Sequence, residues 1–161
     1  MIDVVEPRRH SESIVVARPA EAVYDLVSDV TRTGEWSPIC QACWWDDPAA
    51  GGVVGARFTG RNVTPDRTWE TRSEVVVADR GREFAWEVAN GWVRWAYTLA
   101  PGPDGGTTLT ESWHFTTKGL AGFRDKYGDD ADAQIENRTT AAHDGIPATL
   151  AAIARIAEGD A

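Results

Sequence analysis

The chain of 161 residues predicts an α+β fold: a seven-stranded antiparallel curved sheet wrapped around a long C-terminal helix, with two short helices between strands 1 and 2. Three observations predict it. Apolar residues recur with a period of two through the successive runs 39–46, 55–63, 68–78, 82–89, 92–100 and 106–117, each bounded by Gly, Pro, Asp or Asn. After Thr117 the period lengthens to three and four. All eight tryptophans lie between Trp36 and Trp113, so the bulky rings come from the strand region and the small apolar residues from the C-terminal stretch.

Taken in order, residues 11–17 put Ile14 and Val16 on one face of a first strand. Pro19 sits where proline suits a first helical turn, and Val23, Leu26 and Val27 recur at helical spacing beside Tyr24, which predicts a helix of about 10 residues. Asp29, Thr31 and Gly34 break this into a second short turn of helix ending near Trp36, closed by Ser37 and Pro38. The six later runs are joined at Gly51-Gly52, Pro65-Asp66, Arg80-Gly81, Asn90-Gly91 and Pro103-Asp104-Gly105-Gly106, which is hairpin chemistry and implies a meander. Asn90-Gly91 is the sharpest of these, since both residues tolerate the positive φ of a type I′ turn.

In the C-terminal stretch Ile135, Thr139, Ala142, Ile146, Thr149 or Leu150, Ile153 and Ile156 form one apolar stripe. Gly145 and Pro147 predict a helix in two sections, because proline removes a helical hydrogen bond and clashes with the preceding turn. Residues 119–134, with Phe123 and Tyr127 among charged groups, fit equally a gate over the sheet or an amphipathic helical turn. No repeat or linker divides residues 1–161, and a single domain of this length buries roughly two thirds of its unfolded surface.

With 25 acidic residues against 16 basic ones the net charge is −9, which repels phosphate backbones and anionic lipid surfaces. Neither nucleic acid nor stable membrane insertion is expected. Arg8, Arg9 and His10 followed by Ser11 and Glu12 lack the apolar core of a leader, and no window reaches the roughly 18 apolar residues of a span, so a cytoplasmic location is expected. Cys40 and Cys43 form a lone C-x-x-C. On a strand they would point to opposite faces, and without a second ligand pair or a βαβ context they are expected to be two ordinary thiols.

Alternation sorts the strands into two faces. One carries Phe58, Gly60 and Asn62; Trp69, Thr71, Ser73 and Val75; Phe84, Trp86 and Val88; Val93, Trp95, Tyr97 and Leu99; Leu109, Glu111, Trp113 and Phe115. The other carries Arg57, Arg61, Glu70, Arg72, Glu74, Glu83, Glu87, Arg94 and His114 and is wet, with Trp92 on the same side. Trp44 and Trp45 point oppositely, so one is partly exposed. The first face requires a cover, which the C-terminal helix is long enough to provide.

Glu111 between Leu109 and Trp113 is the sharpest candidate on that face. Burial raises such a carboxyl group's pKa and fits it as an acid, a base or a ligand anchor; its structural alternative is a partner for Tyr97, Asn62 or an inward basic group. His114 lies on the charged face, away from that site. His143 and His10 lack a third ligand, so no metal is expected. The glycine-rich stretch 102–106 joins two strands with no helix behind it and is a hairpin, not a phosphate cradle.

Strand, two helices, six-strand meander and long helix together resemble the helix-grip fold of the START-like (SRPBCC) superfamily, and within it the polyketide cyclase/dehydrase and lipid-transport group. The likeness is carried by Pro19-Ala20-Glu21-Ala22-Val23-Tyr24-Asp25-Leu26-Val27-Ser28-Asp29, by Glu35-Trp36, and by Gly106-Thr107 through Phe115. It implies a cavity between sheet and C-terminal helix that holds an apolar small molecule. Such a cavity takes its walls from Asn62, Trp69, Thr71, Ser73, Trp86, Trp95, Tyr97 and Trp113, with Ile146 and Leu150 on the helix. In the aromatase/cyclase members an arginine and a glutamate–tyrosine pair near the second strand are credited with chemistry. The corresponding positions here read Gln41-Ala42-Cys43 and Val75, without those polar groups, while Trp69 matches an aromatic pocket position.

The expected function is binding of a hydrophobic, aromatic or polycyclic small molecule, without a cofactor. The alternatives are a cofactor-free cyclase or dehydratase in which Glu111 moves protons, and a protein-interaction module with a solid core. Oligomeric state is left open by the sequence.

Overall fold

β-Branched and aromatic residues alternating with polar ones favour a pleated, half-buried surface. The computed structural model, which describes residues 8–159, arranges them in one seven-stranded sheet of order β1-β7-β6-β5-β4-β3-β2. Its strands are β1 (Arg8–Val16), β2 (Cys40–Trp45), β3 (Arg57–Thr64), β4 (Arg67–Asp79), β5 (Glu83–Val88), β6 (Val93–Pro101) and β7 (Thr107–Phe115), every neighbouring pair antiparallel. Helix α1 (Ala20–Val27) and a 3₁₀ turn (Val30–Glu35) link β1 to β2, while α2 (Thr117–Tyr127) and α3 (Ala131–Ala157) follow β7. The expected absence of an N-terminal leader rests partly on residues 1–7, which lie outside the described residues.

Residues paired across antiparallel strands share a face, and the register reproduces the predicted inner face. Asn62 pairs with Trp69 and Gly60 with Thr71; Val75 pairs with Trp86, and Trp86 with Trp95; Trp95 pairs with Trp113, Tyr97 with Glu111, and Leu99 with Leu109. The outer face carries ion pairs at Arg57–Glu74 (3.2 Å), Arg61–Glu70 (3.5 Å) and Arg94–Glu83 (3.2 Å). Pairs this exposed contribute at most about 1 kcal/mol each.

Four expectations are corrected. The β2–β3 register steps from Cys40–Asn62 to Ala42–Arg61, so Gln41 is the extra residue of a bulge. Cys40 and Cys43 therefore both lie on the inner face, opposite Asn62 and Gly60, not on opposite faces.

The β5–β6 connection is longer than the expected two-residue turn. Ala89, Asn90 and Gly91 all have positive φ (53°, 59° and 93°), and Trp92 N–H closes the loop on the Val88 carbonyl at 3.0 Å. Trp92 thus belongs to the loop and not to the outer face; it packs under α2, where a side chain at Gly119 would run into its carbonyl and one at Gly122 into its ring.

α3 runs unbroken through Pro147. Proline deletes one hydrogen bond, and burial of Ile146, Thr149, Leu150 and Ile153 around it holds the helix together.

Cover of the inner face is shared. α3 comes closest to β1 and β7, whereas α1 lies against β5 and β6 with Val23, Tyr24, Leu26 and Val27 buried. The segment 119–134 is mostly α2, whose Phe123 packs edge-on against Phe115 at 4.8 Å.

Candidate functional site

The centre of the inner face is a carboxyl–phenol pair. Tyr97 on β6 and Glu111 on β7 are direct cross-strand partners, each about 4% exposed, and their side chains hydrogen-bond. Burial pushes the Glu111 carboxyl up to about 8, partly offset by the Tyr97 hydrogen bond. Burial, and then the neighbouring Glu111, hold the Tyr97 phenol well above its usual range, while the Trp36 indole donates to its oxygen. Glu111 is therefore mostly a neutral acid at pH 7, able to donate as well as accept. Trp36, 5% exposed where the 3₁₀ turn ends, is a member of this cluster that alternation along the strands did not reveal.

Around this floor the predicted residues divide by exposure. Ser73, Trp113, Ile146 and Leu150 are buried. Trp69, Trp86, Trp95, Asn62 and Thr71 are only half-buried. Trp86 and Trp95 stack with centroids 6.4 Å apart and planes 13° off parallel, and Trp86 also packs on Tyr97 at 5.6 Å. The half-covered rings run across the inner face from β4 to β6. Depressions of about 200 Å³ between α1 and the end of α3, and of about 500 Å³ on the outer face, involve none of these three tryptophans.

Towards β2, Asn62 donates to the Thr71 hydroxyl at 3.2 Å. The missing side chain of Gly60 leaves space that the Cys40 sulfur fills, 3.2 Å from where a Cβ would stand. Cys40 donates to the Ala42 carbonyl at 3.3 Å. The two thiols influence each other: the Cys43 side chain holds Cys40 below its usual value, and Cys40 together with burial pushes Cys43 up.

Two arginines flank Trp69, the cross-strand partner of Asn62. Arg67 lies over the ring at 4.6 Å and Arg138 of α3 at 5.4 Å, and Arg138 also lies 5.5 Å from Phe123. Neither was among the predicted site residues, although alternation through Trp69 puts Arg67 on the inner face and helical spacing puts Arg138 beside Ile135 and Ala142.

His114 is on the outer face as expected, its Nε2 buried without a partner and its pKa lowered by burial and then by Arg9 and Arg94. His10 lies inside β1, not before it; it pairs with Glu12 at 2.8 Å and stacks on His143 at 3.9 Å. Among the described residues no three His, Cys, Asp or Glu side chains are grouped to hold a metal ion, and no helix is long and apolar enough to cross a membrane.

Comparison with known proteins gives a consistent assignment. The Polyketide_cyc-like protein Cgl2372 from Corynebacterium glutamicum is 56% identical, with 96% of this chain and 94% of that one covered and a TM-score of 0.70. The Zhui aromatase/cyclase from Streptomyces sp. R1128 superposes with a TM-score of 0.75 at 18% identity, covering 95% of this chain and 94% of its own. TTHA0849 from Thermus thermophilus does so with a TM-score of 0.70 at 11% identity, covering 93% and 97%. These last two likenesses bear on the fold alone. No curated protein matches the chain. The sequence profile for polyketide cyclase/dehydrase and lipid transport matches residues 7–146, from the start of β1 to the middle of α3, and the chain therefore belongs to that family, within the START-like superfamily.

Proposed function

We propose that the protein binds a hydrophobic, aromatic or polycyclic small molecule in the groove between the inner sheet face and the helices. The observation that carries this reading is the half-buried state of Trp69, Trp86 and Trp95 on the face where Tyr97 and Glu111 are buried. A core that served stability alone would cover such rings, because each indole has a large apolar area to withdraw from water. The near-parallel Trp86 and Trp95 present flat surface to a planar ring system. Asn62, Thr71 and the Tyr97–Glu111 pair supply the few polar groups that orient a ligand in a mostly apolar site. Titration with planar aromatic compounds, followed by tryptophan fluorescence, tests it. Saturable quenching that weakens in Trp86→Ala and Trp95→Ala supports the site, and a wild-type protein that retains no ligand in native mass spectrometry and shows no quenching rejects it.

A second reading, cofactor-free cyclisation or dehydration, is favoured by one observation: the Glu111 carboxyl is poised at about 8, within range to exchange a proton near neutral pH. In that reading Glu111 transfers the proton, Tyr97 orients the carboxyl group, and the walls hold one substrate conformer. Glu111→Gln separates the two. If turnover of a confirmed substrate survives the substitution, the acid–base role is lost and binding stands alone.

A further inference from the structure

Arg67 and Arg138 are cations beside the rings of the inner face. Arg67 opens β4 and shares the inner face with Trp69; Arg138 reaches from α3, half-buried, to the other side of the groove. Among the described residues neither forms a salt bridge, although eight other basic side chains of this acidic protein do. Arg138 donates to Asn137 at 2.8 Å and to Gln134 at 3.1 Å, and Gln134 in turn donates to Asp130 at 2.8 Å. Both guanidiniums also reach the Tyr127 hydroxyl, whose pKa is lowered despite burial, by the Arg67 hydrogen bond first and by the nearby cations. Two half-buried guanidiniums on one ring repel each other, and Arg138 carries that repulsion on top of its own desolvation. The arrangement fits a missing negative charge. A guanidinium presents a planar fork of donors that matches a carboxylate or phosphate, and a phenol hydroxyl adds one more donor.

We propose that Arg67, Arg138 and the Tyr127 hydroxyl form an anion subsite at the rim of the groove, which takes an acidic group, such as a carboxylate, sulfonate or phosphate ester, attached to the apolar ligand. This rests on the binding reading above and narrows it to amphipathic acids: the rings lie on Trp86 and Trp95, and the acidic end lies beside Trp69, where the face meets solvent. The position differs from Gln41-Ala42-Cys43 and Val75, where the family resemblance implies polar groups.

A matched pair of probes tests the subsite separately from the groove. 8-Anilinonaphthalene-1-sulfonate and N-phenyl-1-naphthylamine share their rings and differ in the sulfonate. The double variant Arg67→Gln, Arg138→Gln is expected to weaken the sulfonate probe by about tenfold or more while leaving the neutral one within about twofold. Affinity for the sulfonate should fall with added salt in wild type and not in the variant. The double lysine variant, which keeps the charge, is expected to recover most of the lost affinity; a purely stacking role for the arginines would not be rescued in this way. If both probes bind wild type and the glutamine variant alike, the anion subsite is overturned and the groove stands. If the neutral probe fails to bind wild type, the groove itself is rejected and the subsite with it. Inorganic phosphate that displaces the sulfonate probe at micromolar concentration would overturn the attached-acid form in favour of a site for the free anion.

Discussion

Tyr97 and Glu111 face each other across β6 and β7, and this pairing joins a carboxyl group to a phenol, both buried, on the inner sheet face. Its consequence is a pH dependence of stability with a definite sign. The unfolded chain releases the Glu111 proton near the ordinary 4.5, whereas the folded chain holds it to about 8. Between those values the native state binds more protons, so raising the pH destabilises it by about 1.4 kcal/mol per pH unit from this group. The contribution is complete below the lower value and lost once the pH passes the upper one. Glu111→Gln is expected to flatten that part of the profile and to exceed wild type in stability at pH 9. Urea denaturation at several pH values measures it, and parallel profiles for the two proteins would reject it.

Gly119 and Gly122 let α2 settle on Trp92. Gly119→Ala is expected to destabilise by about 1–3 kcal/mol, since the added methyl meets backbone that cannot rotate away. Gly145→Ala is the contrasting case: on α3 its Cβ would meet only Pro38, at 3.6 Å, and alanine is the better helix former by up to about 1 kcal/mol. Thermal unfolding of the two variants should move in opposite directions, each kcal/mol shifting Tm by about 2–4 °C.

Ala89 occupies the left-handed region at φ 53° in the β5–β6 loop, ahead of Asn90 and Gly91. Glycine removes the steric conflict between Cβ and the backbone at some cost in unfolded-state entropy. Ala89→Gly is expected to stabilise the protein by about 0.5–1 kcal/mol, read as a higher urea midpoint at unchanged slope.

Cys40 and Cys43 differ in reactivity because only Cys40 has its thiolate favoured. At neutral pH N-ethylmaleimide is expected to label Cys40 first, by on the order of tenfold, since the thiolate is the attacking species. Cys43→Ala should slow that labelling. Peptide mapping of a time course decides the matter, and equal rates at both thiols would contradict it.

Much of the architecture is local in origin. Period-two alternation from Phe58 to Phe115 assigned each side chain to a face, and because pleating allows no third orientation the register reproduces that assignment from Asn62–Trp69 through Tyr97–Glu111. Glu111 stood out because a carboxylate between Leu109 and Trp113 conflicts with its surroundings at the level of sequence. Alternation fails where a residue is inserted: the bulge at Gln41 reverses the parity of β2 before Ala42, and the thiol pair became visible only with the β2–β3 register in place. Trp92 departs from alternation for a related reason, since the Ala89–Trp92 loop takes residues that the pattern extends into a strand.

Which side chains share the inner face, where the long helix lies in the chain and which acid is buried were all legible in the order of residues, because each follows from local periodicity or from the cost of burying charge. How that face is covered follows from packing alone. α3 settles over β1 and β7 and α1 over β5 and β6, leaving Trp69, Trp86 and Trp95 half-open. The same packing brings Arg138 to Arg67 and Tyr127 across long stretches of chain, a meeting set by how helices seat on a twisted sheet and not by any spacing along the sequence.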